Sequence, residues 1–241
     1  MTISAFILAF AFSAGPACGS PLPAAAHGSD ARALRLMAQL RKASGGPALD
    51  HHDAFHETGT VIRDGHAGTY EMYGDLHSVR TAGVHTIEGV FGAGGFDGEA
   101  PWRAGSDGKA VYNRDPKAAR EARSEAYFTV GGYNWPDRFP ATFTYVGVRR
   151  GEARDYDVVQ VTPEGGAPTD LWLDRRTHRL RRITVTSAGE TASADVLAER
   201  RVDGVVIGFK SRQKEAGHVM VQTVATYRHV PLEPNRLTPS K

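Results

Sequence analysis

From about Phe55 onward the chain alternates apolar and polar residues in short runs separated by turn dipeptides. No other feature limits its fold as strongly. A strand sends successive side chains to opposite faces, so each run has one apolar and one polar side. Thr142–Val146 and Arg182–Thr186 alternate in this way. Val205, Ile207 and Phe209 share a face of another strand; Val219, Val221, Thr223, Ala225 and Tyr227 share a face of a long one. Asp-Gly occurs four times, at Asp64-Gly65, Asp97-Gly98, Asp107-Gly108 and Asp203-Gly204. Such pairs take positive φ at low cost and join neighbouring antiparallel strands. An antiparallel sheet with one covered and one wet face follows.

Two helices interrupt the strands. Ala33, Leu36, Met37 and Leu40 fall on one helical face. Ser29 or Asp30 caps that helix, Arg41 and Lys42 sit at its negative end, and Gly45-Gly46-Pro47 stops it. Asp115-Pro116 opens the second, which runs to about Phe128 and closes at Gly131-Gly132. The fold class expected is mainly β with a few helices. It is an unclosed, strongly curved antiparallel β-barrel (half-barrel) with helices covering the concave face.

Residues 1–26 contain no Lys, Arg, Asp or Glu, and Ile3–Phe12 is almost wholly apolar. The run is shorter than the roughly 20 residues a membrane span needs. It precedes Pro23-Ala24-Ala25-Ala26, the order of a secretory signal peptide with an A-x-A-like cleavage site. We expect residues 1–26 to be that signal and residues 27–241 to form one domain, periplasmic or secreted after cleavage. The rival is a lipid anchor on Cys18, the sole cysteine, but Gly15 stands where a leucine-like residue is usual. A net charge of +2 gives no reason to expect nucleic acid as a partner.

No nucleophile elbow, P-loop or H-E-x-x-H motif is present, so we expect no catalytic residue and no cofactor. Asp50, His52, Asp53 and His56 are the best metal candidates. A spacing of four on a strand separates His52 and His56 by about 13 Å, too far for one ion, so no metal site is expected. Arg149-Arg150, Arg175-Arg176, Arg179, Arg181-Arg182 and Arg200-Arg201 could meet lipid headgroups, but nearby aspartates favour a charge-paired sheet surface. Large apolar residues are the remaining resource. Leu36 and Leu40 of the first helix, with Trp102, Phe128, Tyr145, Trp172 and Phe209, are the candidates for lining an apolar ligand cavity.

Several phrases carry a family resemblance. They are Ala43-Ser44-Gly45-Gly46, then Gly95-Phe96-Asp97-Gly98-Glu99-Ala100-Pro101-Trp102, then Glu125-Ala126-Tyr127. The second half adds Leu171-Trp172-Leu173-Asp174, Thr177-His178-Arg179-Leu180 and Val202-Asp203-Gly204-Val205. With the export signal, they resemble the periplasmic lipoprotein-carrier type (LolA/LolB-like) domain, which also occurs ahead of bacterial aspartic-protease-like modules. The resemblance implies an apolar cavity under a helical lid and carries over no functional residue. It implies a non-enzymatic binding or carrier protein for a lipid, acyl chain or lipoprotein, expected as a monomer with peripheral membrane contact. The alternatives are an interaction module for an envelope protein, with a filled interior, and a metal-dependent hydrolase.

Overall fold

The computed structural model describes residues 28–151, 154–187 and 189–238. Residues 1–26, the expected signal, and Cys18 lie outside the described residues.

The first helix, α1 (Ala31–Ser44), starts where Asp30 accepts a hydrogen bond from the Ala33 amide at 2.7 Å. Its buried face is Ala33, Leu36, Met37 and Leu40, as the spacing predicts. A 3-10 turn, Gly46–His51, leads to the first half of the sheet. That half holds β1 (Ala54–Arg63), β2 (His66–Asp75), β3 (Thr81–Ile87), β4 (Val90–Phe96), β5 (Pro101–Ala104) and β6 (Ala110–Tyr112). Then comes α2 (Pro116–Thr129), with Asp115 accepting from the Lys117 and Ala118 amides. The second half holds β7 (Ala141–Arg150), β8 (Asp155–Pro163), β9 (Thr169–Asp174) and β10 (Leu180–Ser187), followed by β11 (Glu190–Val202), β12 (Val205–Glu215) and β13 (His218–Val230).

The thirteen strands of the described residues form one antiparallel sheet in the order β6-β5-β4-β3-β2-β1-β13-β12-β11-β10-β9-β8-β7. Each half is a meander, and the β1–β13 pairing joins the halves. The half-barrel expectation is corrected here. The sheet is open and not strongly curled: β6 and β7 are its edges, and no ladder joins them. Bringing the edges together would need a common tilt and stagger along every strand. Instead one edge tapers into the short β5 and β6, and the register shifts at Thr58, Tyr145, Leu180 and Val196 bend single strands. The other edge is covered locally. Ser29 and Asp30 bond to β7: the Asp30 amide donates to the Phe143 carbonyl, and Ser29 Oγ accepts from the Phe143 amide.

The turns explain the register. Asp64-Gly65 and Asp203-Gly204 have φ of 50° and 90°, and 48° and 84°, the mirror-image turn that suits strand twist. Glu88-Gly89 and Ala216-Gly217 take the same form. One predicted face is also corrected. Ala225 has no partner where β13 shifts register against Thr58/Gly59 of β1. The bulge inverts the side-chain parity, so Gln222, Val224 and Tyr227 face the helices while Val219 and Val221 face away.

The main core lies between one sheet face and the helices, with Leu40, Tyr127, Phe143, Val159, Leu171 and Leu173 nearly or fully inaccessible. On the other face Tyr73 and Ala54 pack against Leu237 of the C-terminal 3-10 turn, Pro234–Leu237.

Candidate ligand-binding cavity

The main core is incomplete at its centre. A cavity of about 250 Å³ lies between the middle of the sheet and the segments after each helix. Its floor is built by strand alternation: Phe55 on β1, Met72 on β2, Ile183 on β10, Ala194 on β11, Ile207 and Phe209 on β12, Val224 on β13. Its roof is Leu49 after α1 and Phe128, Val130, Tyr133 and Trp135 at the end of α2.

Hydrogen bonds fix the roof. Trp135 Nε1 donates to Asp50 Oδ1 at 2.9 Å, and Arg41 Nη2 holds both Asp50 oxygens at 2.6 and 2.7 Å. The Arg41 bonds, with the Trp135 bond, keep the Asp50 carboxyl below the usual range despite some burial. Arg138 Nη1 donates to the Leu76 carbonyl at 2.6 Å, tying the roof loop to the end of β2. At the rim, the His52 and His229 rings stack with centroids 3.5 Å apart. Burial lowers the pKa of His229, against the opposing hydrogen bond to Asp203.

The cavity also has a polar side, to which Glu57, Asp195, Gln213 and Gln222 contribute. Glu57 accepts from Tyr70 Oη at 2.5 Å. Burial pushes its pKa up to about 7, opposed only by that bond. Tyr70 can lie there because residue 59 is glycine: a Cβ would sit 2.6 Å from the tyrosine ring. Gln213 Nε2 donates to Gln222 Oε1 at 3.1 Å, and Gln222 Nε2 has no partner. Asp195 is also buried, but Arg182 and Arg212 donate to it at 2.5 and 2.9 Å. Those bonds outweigh burial and hold its pKa low.

Of the seven sequence candidates, Phe128 and Phe209 line this cavity. Leu36 and Leu40 belong to the same core but are not in the cavity wall. Tyr145, on β7, packs against the edge of the core, with Arg32 3.7 Å above its ring and its hydroxyl donating to Asp157 at 2.8 Å. Trp172 lies on the opposite face, because Leu171 and Leu173 on either side point into the core. Its Nε1 donates to Thr184 Oγ1 at 3.0 Å. Trp102 also faces away. It lines a second groove of about 360 Å³ with Tyr73, Phe91 and Arg236. Glu57, Tyr70, Gln213 and Gln222 are polar positions that sequence reasoning missed. The legible signal was Glu57 itself, which shares the parity of Phe55 on one strand.

The metal candidates stay apart. His56 Nε2 lies 2.8 Å from Glu71, while His52 stacks on His229. Among the described residues no group of three or more His, Cys, Asp or Glu could hold a metal ion. The arginines are mostly paired, as with Arg154–Asp174, Arg175–Asp157 and Arg179–Glu199. No described helix is long and apolar enough to cross a membrane.

No family model and no curated protein matches the sequence. Solved structures match the fold. A LolA superfamily protein from Nitrosomonas europaea aligns with a TM-score of 0.58 at 12% identity, covering 86% of this chain and 97% of that one. A DUF1329 family protein from Desulfovibrio piger aligns with a TM-score of 0.57 at 10% identity, covering 86% and 97%. A domain from Vibrio parahaemolyticus, assigned as an outer membrane lipoprotein-sorting protein domain, aligns with a TM-score of 0.55 at 11% identity, covering 86% and 96%. At these identities the likeness is one of fold alone.

Proposed function

We propose that this is an exported, non-enzymatic carrier that shelters an acyl chain of a lipid or lipoprotein in the periplasm. The observation that carries the reading is the cavity of about 250 Å³, whose wall is apolar for the larger part and is built from sheet and roof. An apolar cavity of about 150 Å³ already admits benzene. Each buried methylene contributes about 0.8 kcal/mol, so eight would supply roughly 6 kcal/mol. The fold likeness to LolA-like proteins and the signal-like residues 1–26 support export and carriage.

The test is binding of N-phenyl-1-naphthylamine, a neutral apolar fluorophore. The wild type is expected to bind it at micromolar concentration. Ala194→Phe, which places a ring in the floor, is expected to weaken binding at least tenfold while remaining folded. A wild type that binds no apolar probe, or a filled variant that binds as well, would overturn the reading.

A further inference from the structure

The cavity's charge is one-sided. Two carboxyl groups line it, Glu57 and Asp195, and no Lys or Arg does. Arg182 and Arg212 neutralise Asp195. Arg200 stacks 3.5 Å over Phe209 but is not in the cavity wall. The histidines at the rim are engaged with each other, and His229 also with Asp203. Tyr70 and Tyr227 are the other titratable groups beside Glu57. Glu57 therefore faces the cavity with one hydrogen bond, to Oε1, and no cation. A buried carboxylate without a counter-group is costly, and a ligand that supplies one recovers that cost.

We infer that the cavity selects amphiphiles with a cationic, N–H-donating head, a long-chain amine being the simplest, and discriminates against fatty carboxylates, with Glu57 reading the head. The inference rests on the carrier reading, since an amphiphile must enter the cavity. An ammonium would pair with Glu57 Oε2, while Tyr70 keeps its bond to Oε1. A fatty carboxylate would bring a second negative charge into a site of low dielectric, where repulsion is strong. Upward displacement of the Glu57 pKa to about 7 is the mark of the missing partner. Long-range attraction does not explain the preference, because the chain's net charge is +2.

The test is displacement of bound N-phenyl-1-naphthylamine by dodecylamine, dodecanol and dodecanoate at pH 8. Dodecylamine is expected to compete at least tenfold better than dodecanol, with dodecanoate weakest. Glu57→Gln is expected to lose the amine preference, with dodecylamine and dodecanol then competing alike against the variant's own bound probe. Amine competition in the wild type is expected to weaken between pH 8 and pH 6 as Glu57 protonates. Dodecanoate competing as well as dodecylamine, or an amine preference that survives Glu57→Gln, would overturn the inference and leave the carrier reading intact. A wild type that binds neither probe nor amphiphile would overturn both.

Discussion

Burial without a cation makes Glu57 a pH-dependent burden on the fold. Its pKa rises from the ordinary 4.5 to about 7 in the folded protein. A raised pKa means the native state holds the proton more tightly than the unfolded chain. The stability this contributes is complete below pH 4.5 and is lost as pH rises through 7. The loss is on the order of 2–3 kcal/mol, or about 5–10 °C in melting temperature for a domain of this size. Melting temperatures of wild type and Glu57→Gln between pH 5 and pH 8 check this. The difference between the two proteins is expected to change in favour of the variant as pH rises; a constant difference would contradict it. The residue was hidden because alternation assigns polar residues to the wet face, and Glu57 has the parity of Phe55, an inward residue. Phe128 and Phe209 were legible as cavity residues because apolar neighbours share their faces. Trp172 was not, because the leucines at 171 and 173 decide its side of the strand.

At the scale of elements, two corners share one design. β2 ends in Asp75 and β9 in Asp174, each with 1% of its surface exposed. The Asp75 amide donates to the Arg80 carbonyl and the Asp174 amide to the Arg179 carbonyl. Each carboxylate caps its own turn: Asp75 accepts from His77 N and Ser78 Oγ, Asp174 from Arg176 N and Thr177 N. Each also meets an arginine, Arg80 or Arg154, at 2.9 and 2.6 Å. Burial raises both pKa values, and the hydrogen bonds more than reverse it. Lowered carboxyl pKa values contribute stability above the ordinary 3.8 that is lost as pH falls through the folded value. Asp174→Asn is expected to lose about 2 kcal/mol at pH 7 in urea unfolding, with the gap to wild type narrowing in acid. Equal stability at pH 7 would contradict the capping role. The paired corners escape sequence reading because only Asp, a Ser or Thr three residues on, and the spacing to Arg80 or Arg179 are common to them. The helices and Asp-Gly turns were legible because their signals are local. Ala225 was not, since a bulge depends on the partner strand.

For the whole molecule, periodicity indicated an unclosed antiparallel sheet with helices on one face, but not how far it curls. Curl depends on tilt and stagger summed over all strands, and no single run of residues encodes that sum. The open sheet still makes a cavity, because α1, α2 and the roof loop cover its middle without filling it. Small side chains on the floor, such as Ala194, leave space that a closed core would fill. In the carrier reading this space holds an acyl chain. Native mass spectrometry of the protein purified gently from a bacterial periplasm, followed by organic extraction, is the decisive measurement. A fraction carrying one lipid or acylated peptide is expected, released into the organic phase and absent from Ala194→Phe. Protein at its bare mass throughout, with nothing extractable, would contradict it.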